Sequence, residues 1–148
     1  MTDHTITHAT FTLERTYPVA PDRVFAAWAG QATKARWFAG KPAEHYELDF
    51  RVGGREIVRA TIDGVPPLTF ESHFQDIVPD ERIVFASTMH SGPNLATASV
   101  TSVELAAIDD GTRLTLTQHG AFLDGYEEPA WREQGTADQL TALGEELA

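Results

Sequence analysis

The residues of this chain that could carry chemistry are six histidines, scattered serines, paired carboxylates and a large set of aromatic and aliphatic side chains. His4 and His8 lie near the N-terminus, whereas His45, His73, His90 and His119 fall in four separate stretches. None belongs to a His-Glu-x-x-His motif, so no metal ion is expected. Cysteine is absent, which excludes a thiol nucleophile, a thiolate zinc site, an iron–sulfur cluster and a disulfide framework. Ser72, Ser87, Ser99 and Ser102 lie in alternating stretches with no Gly-x-Ser-x-Gly elbow, and no catalytic residue set is recognisable. Asp109-Asp110, Glu127-Glu128 and Glu145-Glu146 fall in turns or at the chain end, where solvated acids are expected. Gly53-Gly54 matches no phosphate-cradling pattern and reads as turn chemistry. No cofactor is expected.

The apolar set is the strongest binding candidate. Phe11, Trp28, Trp37, Tyr46, Phe50, Phe70, Phe74, Phe85, Met89, Phe122, Trp131, Leu140 and Leu143 could line a pocket of roughly 300–1,000 Å³. The same residues could instead fill a core at crystal-like density. His119, beside Gly120, is the polar candidate for such a pocket, where a neutral imidazole could orient a carbonyl or hydroxyl. Arg15 and Arg59 lie in strand-like stretches and would pair with an acid or a ligand oxygen if inward, or with solvent if outward.

These residues need elements to position them. Residues 7–17 alternate, with Phe11, Leu13 and Tyr17 on one parity, as a half-buried strand does. Pro21 and Asp22 suit the first turn of a short helix that Gly30 can end, and residues 31–38 fit a second. Period two returns over 44–50, 56–62, 68–78, 82–90, 96–107 and 112–119, joined by turns such as Gly53-Gly54, Asp63-Gly64 and Asp109-Asp110-Gly111. About seven strands joined by tight turns predict an antiparallel sheet. Pro129 opens a final helix over 129–147, with Leu140, Leu143 and Leu147 at helical spacing.

Composition bounds what this framework does. The 148 residues, 42% hydrophobic and 22% charged, suit one globular domain spanning 1–148, with 1–5 as a disordered tail. Eleven bases against 22 acids give a net charge of −11, which disfavours nucleic acid and anionic membranes as partners. The expected partner is a small apolar or aromatic molecule, with a protein partner open and the state monomer or homodimer. No apolar run approaches the roughly 18–20 residues of a bilayer span, and the first residues lack a signal-peptide pattern, so a cytoplasmic location is expected.

The order strand, two short helices, six strands, long helix resembles the START-like helix-grip superfamily (SRPBCC). The nearer resemblance is to the family named for the activator of heat-shock protein 90 ATPase. It is carried by Arg15-Thr16-Tyr17-Pro18-Val19-Ala20-Pro21, Val24-Phe25, Trp28, Trp37-Phe38, Asp49-Phe50-Arg51-Val52-Gly53-Gly54 and Asp63-Gly64. Ile77-Val78-Pro79-Asp80-Glu81-Arg82-Ile83-Val84-Phe85 and Gly111-Thr112-Arg113-Leu114-Thr115-Leu116 complete it. The resemblance implies an α+β helix-grip fold, in which a curved antiparallel sheet wraps a long C-terminal helix around a cavity. It implies binding of a largely apolar small molecule. Its alternatives are a cyclase- or hydrolase-like enzyme using the same cavity, with His119 as acid–base, and a co-chaperone-like interaction module. One departure stands out: relatives often carry Gly-Trp in the final helix, and this chain reads Gly135-Thr136, with Trp131 four residues before the glycine as the candidate to fill that volume.

Overall fold

The computed structural model describes residues 4–40 and 43–148. Of the expected N-terminal tail, residues 1–3 lie outside the described residues, while Thr5 is tied down by donating its backbone N–H to Asp124. Seven strands form one antiparallel sheet: β1 (Ile6–Tyr17), β2 (Ala43–Leu48), β3 (Arg55–Ala60), β4 (Leu68–Val78), β5 (Arg82–Ser91), β6 (Asn94–Ile108) and β7 (Gly111–Leu123). Their spatial order is β1-β7-β6-β5-β4-β3-β2. The last six strands, β2 to β7, follow one another as antiparallel neighbours, and β1 closes the far side by pairing with β7 from Ile6↔Leu123 to Tyr17↔Thr112. The fold is therefore the helix-grip α+β arrangement.

Between β1 and β2 the chain makes α1 (Pro21–Ala29), α2 (Gln31–Lys34) and a π-helical turn at Ala35–Ala39. Proline at the start of α1 costs no hydrogen bond, and Val24, Ala27 and Trp28 form its buried face. The expected second helix over 31–38 is split. Its second half widens to i→i+5 bonding and ends where Gly40 takes φ 75° and donates its N–H to the carbonyl of Ala35. That turn carries Trp37, whose indole N–H donates to the carbonyl of Ala27 at 2.9 Å and locks the two helical segments together.

Several strands differ at their ends from the sequence expectation, β3 (Arg55–Ala60) stopping short of 62 and β6 (Asn94–Ile108) starting before 96, and for β2 and β7 the cause is visible. β2 stops at Leu48 because Asp49 to Gly54 fold into a loop held to β4, with Gly53 N–H donating to Phe74 O and Phe74 N–H to Gly54 O. A Cβ on Gly54 would lie 2.0 Å from the carbonyl of Asp49, so only glycine fits there. β7 runs on to Leu123, since Phe122 still pairs with Thr7 and Thr97 on its two sides.

α3 (Pro129–Leu147) lies across the concave face and presents Arg132, Thr136, Leu140, Leu143 and Leu147 inward, one stripe at three- and four-residue spacing. The core gathers under it: Val24, Trp28, Phe74, Ile83, Val103, Leu114, Leu140 and Leu143 are all nearly without solvent contact. Tyr17, at the end of β1, donates its hydroxyl to the carbonyl of Leu140 at 2.8 Å and ties sheet to helix. Among the described residues, no helix is long and apolar enough to cross a membrane.

Candidate functional site: a cavity under the C-terminal helix

The concave face is built in register rows. Phe74, Phe85, Thr101, Gln118 and Phe11 are successive cross-strand partners, as are Val58, Phe70, Met89, Thr97 and Phe122. In these rows β4 and β5 supply Phe70, Phe74, Phe85 and Met89, while β6 and β7 supply Thr97, Thr101 and Gln118 together with Phe122. Between the rows and α3 lies a cavity of about 250 Å³. Its apolar wall is Trp28, Trp37, Phe38, Val58, Phe70, Phe85, Met89, Leu116 and Leu140. Trp28 and Trp37 meet edge to face at 4.8 Å, and Phe38 links them to Phe70 at 5.9 Å, so the wall is one continuous aromatic surface.

The opposite wall is polar. Arg132 is 8% exposed and grips Glu127 with both arms, Nε to Oε2 at 2.8 Å and Nη2 to Oε1 at 2.7 Å. Its Nη1 donates to Gln118 Oε1 at 3.0 Å, and Gln118 Nε2 donates to the Thr101 hydroxyl at 2.8 Å. Thr97 donates its hydroxyl to Glu127. The rings of Phe70 and Phe122 lie 5.7 and 5.9 Å from the guanidinium carbon. Charge on this wall is thus paired, hydrogen-bonded and held between two rings.

A second polar group lies behind the aromatic wall. Lys34 and Glu56 are both completely buried and meet at 2.8 Å, while Tyr46 donates its hydroxyl to the same carboxylate oxygen at 2.5 Å. The ammonium sits 4.4 Å from the Phe38 ring centre and 5.0 Å from that of Trp28. Burial pulls the Lys34 amine below its usual pKa, and the Glu56 carboxylate works against that shift. The same burial, together with Glu56, pushes the Tyr46 phenol far above its ordinary range.

A family model described as Activator of Hsp90 ATPase homolog 1-like protein matches residues 18–148. The chain belongs to this family. The Mll3558 protein from Rhizobium loti, a solved structure, is 50% identical, with a TM-score of 0.91 over 97% of this chain and 99% of that one. A protein from Rhizobium leguminosarum is 37% identical, with a TM-score of 0.93 over 99% and 98%. Protein CV1439 from Chromobacterium violaceum is 25% identical, with a TM-score of 0.75 over 93% and 96%. No curated protein matches the chain.

Against this family's expected cavity, the structure brings together Trp28, Trp37, Phe70, Phe85, Met89, Trp131 and Leu140 from the sequence candidates. It places the others elsewhere. Phe74 and Leu143 are sealed in the core, Phe50 packs edge to face on Phe25 and Phe74, and Phe11 is half-buried against the core. Tyr46 serves Glu56, and Phe122 serves Arg132. His119 belongs to the outward parity of β7 and pairs with the Thr10 hydroxyl at 2.9 Å on the convex face, away from the cavity. Arg15 donates to the backbone carbonyl of its neighbour Glu14, and Arg59 is exposed. His45 meets Glu47 at 2.9 Å on the exposed sheet surface, and no group of three metal-ligating residues gathers among the described residues.

Trp131 does not fill the volume left at position 136. It is 64% exposed at the cavity rim, because the inward stripe of α3 runs through Arg132 and Thr136 and leaves position 131 to the side. Thr136 instead folds its hydroxyl back to donate to the Arg132 carbonyl at 2.8 Å and lines the cavity. Sequence reasoning missed Arg132, Glu127, Gln118 and Thr101, and counted Glu127 among solvated acids. One signal was available: Arg132 and Thr136 precede Leu140 at four-residue steps, on the same helical face.

Proposed function

We propose that this chain binds one small, largely apolar molecule in the cavity between its sheet and α3. The observation that carries the reading is the continuous wall from Trp28 through Phe70 to Met89, facing a cavity of about 250 Å³, just below the usual ligand-site range of roughly 300–1,000 Å³. A molecule of two or three fused or linked aromatic rings suits that volume and the edge-to-face geometry of the wall. Turnover has little support, because His119 is on the convex face and the lining residues include no nucleophile beside a base. Membership in this family also favours a second reading, a co-chaperone-like module docking a protein partner. The open edge of β1, a strand that among the described residues pairs only with β7, is the surface such a partner would use.

Titration with N-phenyl-1-naphthylamine, a neutral dye whose emission rises in apolar surroundings, tests the ligand reading. Saturable binding near 1:1 is expected, and a Leu140→Trp variant that fills the cavity should lose it while retaining cooperative unfolding. Absence of saturable binding, or binding that survives the filled cavity, overturns it.

A further inference from the structure

We propose that Glu127 makes this cavity select neutral ligands, by occupying the guanidinium that would otherwise capture a carboxylate. The inference rests on the ligand-binding reading above and adds the charge class of the ligand.

Among the described residues lining the cavity, Arg132 carries the only positive charge. A guanidinium facing an apolar cavity is the natural anchor for a carboxylate, because its parallel N–H groups match the two oxygens. Here that fork is already filled by Glu127, at 2.8 and 2.7 Å, and the remaining arm is taken by Gln118 at 3.0 Å. Glu127 is further held by the Thr97 hydroxyl. The rings of Phe70 and Phe122 lie 5.7 and 5.9 Å from the guanidinium carbon and favour its charge where it stands.

Both charged side chains are largely withdrawn from water, at 8% and 15% exposure, so solvent screens their attraction weakly. Glu127 lies only five residues before Arg132, on the connection between β7 and α3, so the pair forms within one short segment. An entering carboxylate must either expel Glu127 or share the low-dielectric wall with a second negative charge. A neutral ligand of the same shape meets neither obstacle. Glu127 is therefore a specificity determinant: an internal carboxylate standing where a ligand's would otherwise sit.

The test uses 2-naphthamide and 2-naphthoate, neutral and anionic molecules of nearly the same shape, displacing N-phenyl-1-naphthylamine from the full chain at pH 7.5. The wild-type protein should bind the amide at least about 10-fold more tightly than the carboxylate. Glu127→Gln keeps the volume and an acceptor for Arg132 but leaves the guanidinium charge uncompensated. Naphthoate binding should then tighten by at least about 10-fold, with naphthamide changing by less than about 3-fold. Adding Arg132→Gln should remove that gain. Equal wild-type affinity for the two probes overturns the proposal without any variant, so it stands to be refuted even if Glu127→Gln does not fold. An unchanged preference in a folded Glu127→Gln protein also overturns it. If neither probe nor dye binds the wild type, the cavity reading itself fails and takes this inference with it.

Discussion

Lys34 carries an ammonium into a place without solvent, where Glu56 meets it at 2.8 Å and four aromatic rings lie within 5.8 Å. Desolvating both ions is costly, and their attraction repays it only while both are present. Lys34→Met should therefore destabilise the protein by about 3–5 kcal/mol, because the Glu56 carboxylate stays buried with Tyr46 as its sole side-chain donor among the described residues. Lys34→Met combined with Glu56→Gln should recover most of that loss. Urea midpoints of the single and double variants check this, and a single variant within about 1 kcal/mol of wild type would contradict it. Nothing in the sequence separated Lys34 from an ordinary surface lysine of a short helix. Its burial follows from tertiary contacts of its side chain with Glu56 of β3 and with the rings of Trp28, Phe38, Phe74 and Phe85, which no local pattern encodes.

At the scale of elements, the sheet holds α3 through apolar contact with its inward leucines and through the bond from Tyr17 to Leu140. Burial pushes the Tyr17 phenol above its ordinary value of 10.0, and Arg15 opposes this weakly. In the unfolded chain this phenol loses its proton above about pH 10, while in the folded protein it stays protonated. The unfolded state then holds fewer protons, so stability that is complete below pH 10 is lost as pH rises through and beyond it. Between pH 8 and pH 11 the Tyr17 share of that loss is about 1 kcal/mol. Tyr17→Phe should cost about 1 kcal/mol at pH 8 for the lost hydrogen bond, yet show a shallower alkaline fall than wild type. Urea midpoints at the two pH values read out both effects; parallel falls would show that this phenol ionises equally in both states.

At the scale of the whole molecule, 22 acids against 11 bases leave a net charge of −11. Several of the bases are spoken for: Arg36 by Glu146, Arg51 by Asp49, Arg82 by Asp76 and Arg132 by Glu127. A surface of this sign repels phosphate backbones at every distance the salt leaves unscreened. No mobility shift of duplex DNA or single-stranded RNA is expected at physiological salt. A salt-sensitive shift with monodisperse protein would reverse this.

The sequence by itself determined the strands, their antiparallel pairing and the final helix, because each is written in local repetition. Phe70, Ser72 and Phe74 in β4, or Leu140, Leu143 and Leu147 in α3, repeat at the period their own backbone imposes. It determined the net charge in the same direct way, as a sum over residues. Which apolar residues line a cavity and which fill the core was decided only by tertiary structure. Phe74 and Phe85 share a parity and a register pair, yet Phe85 lines the cavity and Phe74 does not. His119 was lost to the site by a single step of strand parity, since β7 faces Gln118 inward and its neighbour outward. The polar wall was illegible for a different reason: Arg132, Glu127, Gln118 and Thr97 come from a helix, a loop and two strands. A charged side chain reads as solvated until the fold supplies the partners that make its burial affordable.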